Sequence, residues 1–139
     1  MNKEVWSLLY NIGAPVWYIT FAPADERHPI CLYLAGTNKK FSLEVPHRGT
    51  RRRLISNNPV ACACFFHTIV RAFLKHVLKV ESTDETGMWG KTKVYYGTVE
   101  KQGRPTLHLH LLLWIENSLT LQEIRDGLLS DGSDFLKKS

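Results

Sequence analysis

His108 and His110 are separated by one leucine in the run Leu107-His108-Leu109-His110-Leu111. Strict alternation of apolar and polar residues is the mark of a β-strand, where successive side chains point to opposite faces. The two imidazoles therefore share one face and the three leucines share the other. Paired imidazoles on one strand are suitable donors for a single divalent ion. With a carboxylate and open water positions added, manganese, magnesium, cobalt, nickel and zinc all suit the donor set. The competing reading is an ordinary amphipathic strand whose polar face happens to carry histidine. The apolar run Leu112-Leu113-Trp114-Ile115 extends the strand into a segment buried on both faces.

The candidate carboxylate is Glu100. Val94 to Glu100 is rich in aromatic and β-branched residues and reads as the preceding strand. Gly103 and Pro105 mark a turn between the two. A three-residue loop of Gly103, Arg104 and Pro105 sets Gln102 opposite Thr106, Glu100 opposite His108 and Thr98 opposite His110. A slip of one residue would send Glu100 to the other face. Gln102 is an alternative ligand on the same strand.

The remaining composition frames this hairpin. A chain of 139 residues with 44% hydrophobic content is long enough for one domain with its own core. The longest apolar run is too short to span a bilayer, and no membrane partner is expected. The N-terminus lacks the apolar core of a signal peptide. Cys31, Cys62 and Cys64 form no metal-binding pattern; an odd count points to reduced thiols in an intracellular protein. Cys62 and Cys64 read as small buried residues. A net charge of +5 favours an acidic partner such as nucleic acid without demonstrating one.

Along the chain, Met1 to Asn11 is a short helix or an extended lead-in, and Val16 to Ala22 is a strand. Ile30 to Ala35 is a short strand or one turn of helix. Thr37 to Arg53 is the least structured part, with Pro46 and Gly49 as breakers; its basic residues, Arg51, Arg52 and Arg53 among them, can grip phosphates. Asn58-Pro59 opens the clearest helix, an N-cap followed by proline at the first helical position. Apolar residues then recur at three- and four-residue spacing from Cys62 to Leu78. His67, Arg71, Lys75 and Lys79 form a solvent stripe, and His76 falls on the apolar side as a core residue. Thr120 to Glu123 is a capping box opening a last helix, with Leu121, Ile124 and Leu128 toward the core. Ser130 to Asp134 reads as a loop. Strands and helices in this order make an α+β domain, an antiparallel sheet with helices packed on it.

At this point the sequence resembles a known family, the Helitron helicase-like domain at the N-terminus of Helitron transposases, which belongs to the HUH endonucleases of rolling-circle replication initiators. His108-Leu109-His110 is similar to the motif that names them: histidine, a bulky apolar residue, histidine. Glu100, Gln102, Gly103-Arg104 and the histidine pair stand in the family's order. Trp17 to Phe21 followed by Pro23 resembles the first strand and its proline loop, and Asn58-Pro59 with the helix after it resembles the central helix. The resemblance runs from about Gly13 to Ile124. It implies a ferredoxin-like antiparallel sheet with the HUH motif on a central strand. It implies a metal site of His108, His110 and Glu100, with Gln102 as the alternative, holding manganese or magnesium. The metal polarises a phosphate of single-stranded DNA. A tyrosine attacks the phosphorus and forms a 5′-phosphotyrosine link.

One departure bears on the activity. The family's tyrosines lie downstream of the histidines, whereas the tyrosines here are Tyr10, Tyr18, Tyr33, Tyr95 and Tyr96, and none follows His110. Tyr95 and Tyr96 read as sheet residues. Tyr10 reaches the site only in an arrangement like that of relaxases. The helicase segment expected in a full-length relative is also missing. The expectation is thus one HUH endonuclease-like domain over 1–139, truncated at its C-terminus and lacking its catalytic tyrosine. The alternative is a repurposed single-stranded DNA-binding module that uses Lys91, Lys93 and Arg104, with Trp17 and Trp89 as stacking platforms. A third reading is a transposon remnant with a fold and no present role.

Overall fold

Leu107–Ile115 is the middle strand of a three-stranded antiparallel sheet. The structure is a computed structural model that describes residues 3–36, 40–82, 84–101 and 106–135. In chain order its helices are α1 (Lys3–Ile12), α2 (Pro29–Ala35), α3 (Arg48–Asn57), α4 (Pro59–Ala72) and α5 (Leu121–Phe135). Its strands are β1 (Trp17–Phe21), β2 (Thr92–Lys101) and β3 (Leu107–Ile115), in the order β1-β3-β2. Both outer strands run antiparallel to β3, hence parallel to each other. β1, the helical crossover and β2 thus form a split β-α-β unit, with β3 inserted between its strands. The domain is α+β.

Alternation along β3 decides what lies where. Leu109, Leu111 and Leu113 are 5%, 1% and 0% exposed, and they face α4 in a core with Phe66 and Leu78. Ile19 and Phe21 on β1 and Phe73 beyond α4 pack against the same core. The histidines take the opposite face. α4 is apolar on a second stripe as well. Cys62 and Phe65 meet Cys31, Leu32 and Ile55 from α2 and α3, with Ile69 against them. α4 is therefore the layer that joins the sheet to the small helices.

The start of α4 follows from its sequence: Asn58 Oδ1 accepts a hydrogen bond from the Ala61 N–H at 3.1 Å, and Pro59 occupies the first turn. Its end does not. Phe73–Val77 continues as a π-helical turn, closed by the Leu78 N–H donating to Phe73 O at 3.1 Å. The wider turn changes the phase of the side chains, and His76 is exposed rather than in the core. By length and composition Pro59–Val77 is long and apolar enough to cross a membrane, contrary to the expectation from the apolar runs. Here it is the helix on which the sheet rests.

Three further expectations are corrected. Pro29–Ala35 is a helix rather than a strand, with His28 Nδ1 accepting from the Ile30 N–H at 3.3 Å. Arg48–Asn57 is also a helix: Pro46 lies before it, His47 caps it, and Gly49 sits in its first turn, where a breaker does least harm. At the other end of the chain α5 begins at the expected capping box, with the Thr120 N–H and Oγ1 donating to Glu123 Oε2 at 2.6 and 2.8 Å. It runs on to Phe135 through the stretch that reads as a loop. Ile124 and Leu128 are 42% and 71% exposed, so they do not face the core. Cys31 and Cys62 are buried free thiols, while Cys64 is exposed.

Candidate metal centre

The β2–β3 register sets Glu100 opposite His108 and Thr98 opposite His110, the pairing that the three-residue loop demands. The loop itself, with Gln102 and Arg104, lies outside the described residues. β1 completes the face from the other side, with Thr20 opposite His110 and Tyr18 opposite Leu112. Tyr96 stands opposite Leu112 on β2. The histidine face thus carries Tyr18, Leu112 and Tyr96 in one row and Thr20, His110 and Thr98 in the next.

His110 is the hub. Its Nδ1 lies 2.8 Å from Tyr18 Oη and 3.3 Å from Thr20 Oγ1. The tyrosine and imidazole rings stack with centroids 6.0 Å apart and an interplanar angle of 13°. On the other side Nε2 lies 3.3 Å from Glu100 Oε2, yet this nitrogen is buried and has no hydrogen-bond partner. The carboxylate is therefore close to Nε2 without lying along an N–H direction. The His110 side chain is 16% exposed, and that of Glu100 is 59% exposed.

A divalent ion is what the family resemblance implies for this face, and the unbonded nitrogen tests the fit. Nitrogen and oxygen ligands bind such ions at about 2.0–2.2 Å, so two neighbouring ligands stand about 3.0–3.5 Å apart. The His110–Glu100 separation falls in that range, and each atom offers a lone pair to a common point. The pair fits a divalent cation. Among the described residues no three His, Cys, Asp or Glu side chains close around one point. His108 shares the face one pair of residues along β3 and does not complete such a group.

The basic residues are distributed elsewhere. Lys91 Nζ pairs with Glu116 Oε2 at 3.2 Å, and Lys93 is exposed. Arg51 donates to Pro46 O at 3.0 Å, and Arg52 lies 3.9 Å from Glu26. Arg53 is exposed on the same helix. That helix, α3, packs on α2 and α4 rather than on the strands, so these arginines are not brought to the histidines. Trp17 and Trp89 contact each other with centroids 6.4 Å apart. Trp17 shares its side of β1 with Ile19 and Phe21, the core side of the sheet, and Trp89 packs on that core. The aromatics on the histidine face are Tyr18 and Tyr96 instead. The period of two in β1 was the available signal for Tyr18, but its partner on β3 was not legible. Tyr10 is 91% exposed on α1.

An α+β sheet with one face committed to a helical core and the other to an imidazole–carboxylate pair is a scaffold for polar chemistry on a flat strand surface. The chain belongs to the Helitron helicase-like domain family, the domain at the Helitron N-terminus: residues 1–113 match it, a span that includes β1, β2 and the histidines. It is accordingly related to Helitron transposases. Comparison with curated proteins and with solved structures gave no match.

Proposed function

We propose that the histidine face is a divalent-metal site for nicking and strand transfer on single-stranded DNA, in a Helitron-related domain of the HUH type. The observation that carries this reading is the unbonded His110 Nε2 held 3.3 Å from the Glu100 carboxylate. His110 and Glu100 would hold manganese or magnesium, with His108 next on the same face. Polarisation of a scissile phosphate is the chemistry such an ion supplies when bound. The split β-α-β order supports the ferredoxin-like arrangement that the family resemblance implies.

Two protein donors leave most of a cation's coordination positions to water and to phosphate oxygens, the usual state of magnesium at nucleotide sites. Metal and DNA then bind with positive coupling, and each raises the affinity of the other by the same factor. The chain's own residues orient the carboxylate and imidazole and present Tyr18 and Tyr96 beside them as surfaces for bases to stack on. No tyrosine follows His110, so the downstream nucleophile of the family has no counterpart in this sequence.

The test is a calorimetric manganese titration with and without a single-stranded oligonucleotide, on the wild type and on a His108→Ala/His110→Ala double variant. The expected result is binding by the wild type alone, tightened by DNA. If neither protein binds manganese, the nuclease reading fails. The Tyr18 and Tyr96 pair favours one second reading, a metal-independent single-strand binding module. Salt-sensitive DNA binding that EDTA leaves unchanged would select it.

A further inference from the structure

We propose that Tyr18 is a positioning residue for the candidate metal ligand His110, fixing the imidazole tautomer that leaves Nε2 bare. The inference rests on the metal-site reading for its functional meaning, but its structural content is separable. A neutral imidazole carries one proton, so one nitrogen donates and the other accepts. Which nitrogen donates is decided by the partners around the ring. At Nδ1 the partners are two hydroxyl oxygens, Tyr18 Oη at 2.8 Å and Thr20 Oγ1 at 3.3 Å. Each can accept an N–H. At Nε2 the neighbour is a carboxylate that can only accept when ionised, yet no hydrogen bond joins them.

The short contact to Tyr18 is therefore the better-formed one, and it places the proton on Nδ1. Nε2 then presents its lone pair on the same side as the Glu100 carboxylate. This disposition is unfavourable without a cation and favourable with one. Tyr18 does for His110 what outer hydrogen-bond partners do for metal-binding histidines generally, selecting the tautomer and holding the ring plane. The stacking of the two rings holds that plane as well. Thr20, at the longer distance, is the weaker partner.

The experiment uses Tyr18→Phe, which keeps the ring and removes only the hydroxyl. Because Tyr18 is 65% exposed, the change leaves the core intact. The first readout is the pair of ring-nitrogen chemical shifts of His110, by nitrogen-15 NMR on the metal-free protein in alkaline buffer. The wild type is expected as the Nδ1–H tautomer and Tyr18→Phe as a mixture shifted toward Nε2–H. The second readout is manganese affinity by calorimetry, expected to fall roughly 10–100-fold in Tyr18→Phe, the usual cost of losing an outer partner. Thr20→Val is expected to change it less.

An Nε2–H tautomer in the wild type overturns the inference whether or not metal binds. Equal manganese affinity in wild type and Tyr18→Phe overturns it as well. Absence of manganese binding by the wild type overturns the metal-site reading, and the NMR result still decides the role of Tyr18. A covalent DNA adduct that maps to Tyr18 would also overturn it, since that places the phenol at the reacting phosphorus.

Discussion

Gly87→Ala tests how the helical layer is fastened to the strand that carries Glu100. A Cβ built on Gly87 would lie 2.4 Å from Leu78 O, 2.7 Å from its carbonyl carbon and 2.9 Å from its Cα. Non-bonded carbons prefer about 3.5–4.0 Å, so the backbones must part by about 1 Å to admit the methyl group. Neither is free to do so. Leu78 is 1% exposed in the core, and its carbonyl accepts from Thr92 Oγ1 at 3.2 Å. Gly87 exchanges hydrogen bonds with Gly90 at 3.0 and 3.1 Å, and the Met88 N–H donates to Val77 O at 2.9 Å. Overpacking costs about 1–3 kcal/mol. One broken hydrogen bond adds about 1 kcal/mol. The stiffer unfolded chain returns about 0.4–1 kcal/mol. The expected loss is about 2–3 kcal/mol. The assay is urea unfolding followed by tryptophan fluorescence, with Gly49→Ala as the reference. At Gly49 the nearest atom to a new Cβ is His47 Nδ1 at 3.8 Å, an ordinary contact, so that variant should hold or gain stability. A Gly87→Ala midpoint equal to that of the wild type would refute the close approach, and with it the account of how β2 is placed beside the histidines.

The remaining predictions concern the elements around the site. Leu111→Ala removes a side chain that is 1% exposed at the centre of β3, with an expected loss of about 2–5 kcal/mol in the same unfolding assay. Asn58→Ala deletes the cap that accepts from the Ala61 N–H and should cost about 1 kcal/mol. Gly127→Ala meets nothing within 4 Å and should strengthen α5 by about 1 kcal/mol, seen as slower amide exchange along that helix. The hydrogen bonds from the Thr120 N–H and hydroxyl hold the Glu123 carboxyl below its ordinary 4.5. A lowered folded value means the capping box contributes fully above the unfolded value and is lost as pH falls through the folded one. Amide protection in the first turn of α5 should therefore decline on acidification below about pH 4.5, and protection unchanged in acid would contradict that assignment.

The parts legible in the sequence were those governed by local rules. Alternation from Leu107 to Leu111 separates the core face from the histidine face, and the spacing to Glu100 sets the β2–β3 register through one short turn. The Asn58 cap and the Thr120–Glu123 box were equally local. What was hidden depends on distant partners. β1 reaches β3 across the whole helical layer, and no turn fixes its register. The contact of Tyr18 and Thr20 with His110 therefore could not be read from spacing. His76 was misplaced because a π-helical turn is a small insertion in phase with no sequence signal of its own. The apolar residues of α5 were assigned to the core by periodicity alone, which shows that a stripe exists and not that something covers it.

The histidine face is held in place by its opposite. Slipping β3 by one residue would turn Leu109, Leu111 and Leu113 toward solvent and press the imidazoles into the core. Each leucine is at most 5% exposed, and losing the burial of all three would cost about 5–9 kcal/mol at about 1.5–3 kcal/mol each. That equals much of the about 5–15 kcal/mol stability of an ordinary domain. The placement of His110 beside Glu100 and Tyr18 is thus fixed by hydrophobic burial before any ion arrives. It follows that the His108→Ala/His110→Ala variant should unfold at a urea midpoint near that of the metal-free wild type. A large loss of stability in that variant would mean that the imidazoles themselves support the sheet, and a loss of manganese binding could then no longer be assigned to missing ligands.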